Sequence, residues 1–269
     1  MIAQRPTLGA AFEGAARRLR KAYAGAPIEP LRDVLEPEDV EGAYAIQLIN
    51  TRHWREVDGR RIVGRKIGLT SEAVQSQLGV DQPDYGVLFA DMQIEDGGEL
   101  AATRVIQAKA EGEVAIVMAR DLCNAEAGPE DLLSAAACAL PAIEIVDSRI
   151  AGWRIRFADT VADNGSSGFF VIGNESRSLD SIDLASCEFT LYVDDRVMST
   201  GTGAACLGHP LNAAAWLART LAQRGEMLRA GDIVLTGALG PMVTLAPGMH
   251  VRASIGGLGG VSFRFGEST

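Results

Sequence analysis

Apolar residues recur at intervals of three and four in two stretches near the start of the chain. Phe12, Ala15, Leu19 and Tyr23 fall on one face of a helix predicted over residues 10–24, which Gly25 and Pro27 stop. Val40, Tyr44, Leu48 and Trp54 repeat the pattern over residues 37–57, where Asp58-Gly59 ends it. A strand follows over 61–67, then a short helix over 71–78 with Ser71 as its N-cap. Beyond it the period shortens. Residues 105–119 and 140–147 read as long strands, with further strand-like runs at 169–172, 189–193, 233–235, 251–255 and 261–265. One helix interrupts them, over 210–224, opened by Pro210 and closed by Gly225. The chain holds 30 glycines, mostly in this half, as a sheet with many tight turns requires. The expected fold class is α+β: a helical N-terminal region over residues 1–60 and a mixed, mainly β core over 61–269.

Composition narrows the partners. Hydrophobic residues make up 47% of the 269 positions, enough for a large core. A net charge of -10 discourages binding to nucleic acid or to an anionic membrane. An acidic substrate would then need a local positive feature, such as a bound metal ion or a placed Lys or Arg. Cys123, Cys138, Cys187 and Cys206 are widely spaced and form no CxxC. With no signal peptide evident and no apolar run near the ~20 residues that span a bilayer, a cytoplasmic location is expected.

Three places carry candidate chemistry. In Glu111-Gly112-Glu113 the strand period puts both carboxylates on one face. A solvated polar face would look the same, because Gln107 and Lys109 share that parity. Glu144 stands in the apolar run Ala142 to Val146, where a carboxylate must be paired or bound to metal. A structural salt bridge, to Arg149 or Lys109, is the competing reading. Three glutamates without matching histidines suit a hard ion such as Mg²⁺ or Mn²⁺, and His53, His209 and His250 are scattered. Lys66, in Gly64-Arg65-Lys66-Ile67-Gly68-Leu69-Thr70-Ser71, ends a strand; the segment lacks the GK[ST] ending of a phosphate loop. The segment Asp159 to Gly168 is small, polar and turn-forming, and reads either as a plain loop or as a set of hydroxyls and amides for a substrate carboxylate.

These words, in order, resemble the 2-keto-4-pentenoate hydratase family of the fumarylacetoacetate hydrolase superfamily. The matches include Pro30-Leu31-Arg32-Asp33, Ala43 to Gln47, Gly64 to Ser71, Val80 to Met92, Glu144 to Ile150, Asp159 to Gly168, Leu207 to Ala214 and Gly231 to Val243. The resemblance implies a mixed β-roll core and a homo-oligomer, a dimer or a ring of dimers, with association to a pathway enzyme also conceivable. It implies Mg²⁺ or Mn²⁺ held by Glu111, Glu113 and Glu144, with Lys66 and Asp84 handling protons and water and Ser166 gripping the substrate carboxylate. The expected reaction adds water to a small 2-oxo or 2-hydroxydienoic acid. Rival readings are a decarboxylase of 4-oxalocrotonate-type diacids, whose second carboxylate would call on Arg65, Arg149 or Arg154, a C–C bond hydrolase, and a non-catalytic partner subunit.

Overall fold

The computed structural model describes residues 8–71, 75, 80 and 82–267. The helix predicted over 71–78 lies outside them, apart from Ser71 and Gln75. The helices are α1 (Leu8–Ala22), α2 (Val40–Glu56), α3 (Pro129–Ala135), α4 (Phe157–Ala162) and α5 (Pro210–Gln223). The strands are β1 (Ile62–Gly68), β2 (Asp84–Phe89), β3 (Gln93–Ile94), β4 (Glu99–Leu100), β5 (Lys109–Met118), β6 (Ala136–Val146), β7 (Ser167–Ile172), β8 (Glu188–Val193), β9 (Arg196–Thr202), β10 (Ile233–Ala238), β11 (Val243–Thr244), β12 (His250–Ile255) and β13 (Gly259–Phe265). Among the described residues no helix is long and apolar enough to cross a membrane.

One mixed sheet runs in the order β2-β1-β10-β5-β6-β7-β3, with β11 also pairing to the start of β5. A second runs β4-β13-β12-β8-β9. Val114, Ile116, Ile143, Ile145 and Val234 on one side of the first sheet share a core with Phe189, Leu191, Val251, Ala253 and Phe263 of the second. Central strands buried on both faces read as near-continuous apolar runs, which is why Ala115 to Met118 and Ala142 to Val146 lack a clean alternation. The fold is the α+β class expected, with N-terminal helices and a curled mixed sheet. Ala15, Leu19, Ala43 and Ile46 of α1 and α2 join the same core as the strands. Gln47 on α2 is buried and donates to the carbonyls of Tyr85 (2.9 Å) and Val161 (3.0 Å), fastening α2 to β2 and α4.

Several boundaries depart from the sequence pattern for local reasons. Helix α2 begins at Val40 because Asp39 caps it, accepting from the Gly42 amide at 2.9 Å. The strand expected from 105 begins at Lys109, since Asp147 takes the amides of Ile106 and Gln107 away from the ladder. Strand β2 had no alternation to announce it, being buried along its whole length. Residues 159–162, read as the start of a polar loop, belong to the buried helix α4, with Asp159 accepting from Arg156 N at 3.0 Å.

Gly112 shows how tightly the sheets approach. It faces the second sheet between two outward glutamates, and a Cβ there would collide with the ring of Phe189. Gly112→Ala is expected to cost about 1–3 kcal/mol through overpacking. A fall in thermal midpoint of roughly 2–4 °C per kcal/mol would report it, and Phe189→Leu in the same chain should recover part of the loss. An unchanged midpoint would mean that the two layers can move apart freely.

Candidate metal centre and active site

Sheet register brings the sequence candidates together. Glu111 and Glu113 share a face of β5, and β6 places Glu144 directly opposite Glu111. Across β10, Lys66 is aligned with Leu235 and through it with Ala115, two positions beyond Glu113, so its side chain leaves the same face. Asp84 at the start of β2 lies opposite Gly68. Each of the three glutamates offers one oxygen within 4.8 Å of the others. Lys66 Nζ stands 3.3 Å from Glu144 Oε2 and donates to the carbonyl of Gly165 at 2.9 Å. Gly68 is the reason the aspartate fits. A Cβ at that position would collide with the Asp84 carboxylate and stand 3.4 Å from Lys66 Nζ.

The partner of Glu144 is therefore Lys66, and neither Arg149 nor Lys109 takes that place. Arg149 binds Asp163, and Lys109 lies over the ring of Trp153 at 4.3 Å. One ammonium does not satisfy three carboxylates. The Gly237 amide serves Glu113 Oε2 at 2.7 Å, but Glu113 Oε1, both oxygens of Glu144 and Asp84 Oδ2 are buried without a hydrogen-bond partner. Of these, Glu144 Oε2 has only the Lys66 ammonium beside it. Buried polar atoms left unpaired are costly, and the remaining three, gathered on oxygen donors, fit a hard divalent cation. Burial raises the pKa of Glu111 to about 7, with the Glu144 charge adding to it and Lys66 opposing. Burial, with Glu144 and Glu111, also lifts Glu113 well above the usual carboxylate range. Glu144 and Asp84 are raised by burial and pulled back by Lys66. Burial alone would discharge Lys66, yet Glu144, Asp84, Glu111 and Glu113 reverse the effect and hold it charged.

Ser166 lies in the same region but is differently employed. It is buried, and its hydroxyl is 3.2 Å from Thr160 Oγ1 and 3.5 Å from Asp163 Oδ2. The neighbouring Ser167 Oγ is buried and unpartnered, close to Gly86 on β2. Asp163, Asn164 and Ser167 lie in the segment Asp159 to Gly168 that the sequence singles out, but only Ser166 is assigned a role there. Arg65, being next to Lys66 in a strand, leaves the opposite face and pairs with Glu226 at 2.7 Å. Arg154 is exposed and binds Glu29.

The raised carboxyls fix the sign of a pH dependence. In the folded, metal-free protein these groups hold protons that the unfolded chain has already released at its ordinary value of 4.5. Stability is therefore full below that value and is lost as pH rises through the folded value of about 7. In chelator the melting temperature should fall between about pH 5 and pH 7.5, and saturating Mn²⁺ should flatten that slope. A metal-free midpoint constant across this window would show that the carboxylates are already compensated.

The chain is similar to known proteins over most of its length. Residues 47–265 match the model of the fumarylacetoacetate (FAA) hydrolase C-terminal family. The chain is 57% identical over 254 residues to 2-keto-4-pentenoate hydratase 2 of Dechloromonas aromatica, covering 94% of this chain and 97% of the relative. It is 55% identical to 2-keto-4-pentenoate hydratase of Burkholderia vietnamiensis, covering 94% and 96%. Among solved structures, the 4-oxalocrotonate decarboxylase of Pseudomonas putida G7, complexed with magnesium and adipate, superposes with a TM-score of 0.91 at 34% identity, over 97% of this chain and 99% of that one. Since the family model spans most of the chain and the hydratases are more than half identical over nearly all of it, the chain belongs to the 2-keto-4-pentenoate hydratase family of the fumarylacetoacetate hydrolase superfamily.

Proposed function

We propose that the protein is a Mg²⁺- or Mn²⁺-dependent hydratase converting 2-hydroxypenta-2,4-dienoate and water to 4-hydroxy-2-oxopentanoate in the meta-cleavage catabolism of aromatic compounds. The observation that carries the reading is the gathering of Glu111, Glu113 and Glu144 on one sheet face with Lys66 and Asp84 beside them, in a chain whose relatives are hydratases. The three glutamates hold the ion, which when bound supplies Lewis-acid polarisation of the substrate's C2 oxygen. The residues of the chain manage protons. C5 of the dienoate gains a proton as the 2-hydroxyl loses one, giving the 2-oxo-3-enoate. Water then adds at C4, and C3 takes up a proton. Lys66, its ammonium 3.3 Å from Glu144 and hydrogen-bonded to the Gly165 carbonyl, is one of the two groups that handle protons. Asp84, with one oxygen buried and unpartnered, is the acceptor that orients water. Ser166, through its turn, positions the substrate carboxylate. General acid–base assistance of this kind is worth about 10²–10⁴ in rate. The same reading carries a cytoplasmic homo-oligomer, with which the four free cysteines are consistent.

The decarboxylase reading asks for a second cation to hold a diacid. Arg65 faces the other side of the sheet with Glu226, Arg149 is committed to Asp163 and Arg154 is exposed with Glu29. All three arginines are engaged elsewhere, which favours a substrate with an uncharged tail.

Purified protein mixed with 2-hydroxypenta-2,4-dienoate should consume the conjugated diene only with Mg²⁺ or Mn²⁺, and the product should gain the mass of one water. Carbon dioxide release from an oxalocrotonate, with no hydration of the dienoate, would overturn the reading. Lys66→Met is expected to reduce turnover by about 10²–10⁴ while Mn²⁺ affinity stays near wild type; near-normal turnover would remove the lysine from the reaction. Glu113→Gln should weaken Mn²⁺ binding by calorimetry at least about tenfold. Unchanged affinity there would mean that the ligand set is wrong.

A further inference from the structure

Among the described residues Arg149 is the largest fully buried side chain, 1% exposed, and its ion-pair partners are Asp163 and, at 4.0 Å, Asp147 rather than the three glutamates. Its contacts fall on either side of one unusual turn. Nε donates to Asp163 Oδ1 at 2.7 Å and Nη2 to the Asp163 carbonyl at 3.0 Å. Nη1 donates to the Ser167 carbonyl at 2.9 Å, and the Arg149 amide donates to Asp163 Oδ2 at 2.9 Å. Between the gripped residues, Asn164, Gly165 and Ser166 are all left-handed, with φ of 59°, 61° and 52°. Two of these are not glycine, a conformation that surrounding contacts must impose. Tyr23 closes the far side, its ring 4.1 Å from the guanidinium.

The turn reaches the active site at two points. The Gly165 carbonyl accepts from Lys66 Nζ at 2.9 Å. The Asn164 side chain accepts from Val87 N at 2.7 Å and donates to Val87 O at 2.9 Å, acting as an extra rung on the strand that carries Asp84. We infer that Arg149 and Asp163 are positioning residues for the hydration reaction: by clamping both ends of the 164–166 turn they aim the Gly165 carbonyl at Lys66 and set where its ammonium stands against Glu144. The ammonium has a carboxylate on one side and this carbonyl on another, so losing the carbonyl would let it swing toward the glutamates. The inference rests on the proposed role of Lys66, but its first readout does not.

The chain contains only three lysines, Lys21, Lys66 and Lys109, so selective ¹⁵N labelling of lysine gives three side-chain signals, with that of Lys66 identified by its loss in Lys66→Met. In the full-length protein the Lys66 ammonium should exchange its protons more slowly than that of exposed Lys21. Exchange as fast as that of Lys21 would overturn the inference without any variant. Arg149→Lys keeps the charge and loses the two-ended grip. Asp163→Asn, nearly the same shape, loses the charge on the other side. Either is expected to shift or broaden the Lys66 signal while Lys21 is unmoved, and to lower kcat by about 10- to 100-fold with KM and Mn²⁺ affinity within about twofold. An unchanged Lys66 signal with unchanged kcat, or a loss of Mn²⁺ affinity in step with kcat, would reduce the pair to a general structural role and overturn the inference. Failure of the wild-type protein to hydrate the dienoate would instead sink the proposed function, leaving the Lys66 signal to decide this point.

Discussion

Carboxylates do not share a dry site without a cation, and the design of this protein follows from that constraint. Glu113, Glu144 and Asp84 are almost wholly buried, Glu111 is half-buried, and one lysine stands among them. Glu113 Oε1, Glu144 Oε1 and Asp84 Oδ2 remain unpartnered there, and Glu144 Oε2 has only the Lys66 ammonium. A fold that only sought stability would replace such a cluster with apolar side chains, which often gains free energy. Keeping it makes sense when the missing charge arrives with a divalent ion, whose binding then offsets the cost of gathering the ligands.

The scaffold is arranged to hold that cluster still. Its glutamates come from neighbouring positions of β5 and β6, in the middle of the sheet, where the ladder on both sides fixes the register. The opposite face of the same strands is sealed by the second sheet, and at Gly112 the layers come so close that no Cβ fits. Lys66 arrives from β1, one strand removed across β10. The three glutamates and Lys66 therefore sit on different strands of one rigid sheet, and their separation is set by strand spacing rather than by loop conformation. Sites built on such elements are held more closely than sites on loops.

Much of this was legible in the chain. The helices α1, α2 and α5 followed their apolar periods, and the long strands β5 and β6 followed their apolar runs. Alternation alone placed Glu111 with Glu113, and the apolar setting of Glu144 marked it as a carboxylate with a purpose. Two things were not legible. Strand β2, which carries Asp84, is buried on both faces and offers no alternation, so Asp84 was reachable only through family resemblance. The turn at residues 164–166 was opaque for a different reason. Its conformation is imposed by Arg149, whose position among the sheet and helices no local pattern encodes. The bland alternative for Glu144, a bridge to Arg149 or Lys109, failed on the same ground: sequence proximity suggested partners, and register supplied another one from 78 residues upstream.

An acidic chain that handles an acidic substrate needs its positive charge to be local. Around the candidate centre four acidic side chains stand against a single ammonium among the described groups, so once pH rises past their raised range the site without an ion repels a substrate carboxylate at close range as well as through the net charge of -10. The arginines that could have reversed this sign are each spent on a structural partner. Arg65 is tied to Glu226 behind the sheet and Arg149 to Asp163 beneath the turn. On the proposed reading, metal occupancy would govern both chemistry and substrate entry, because a cation completing this carboxylate set would also be the main attractive feature an anionic substrate meets. Lys66 is too deeply enclosed to act at long range, and its charge matters only once the substrate is seated beside it.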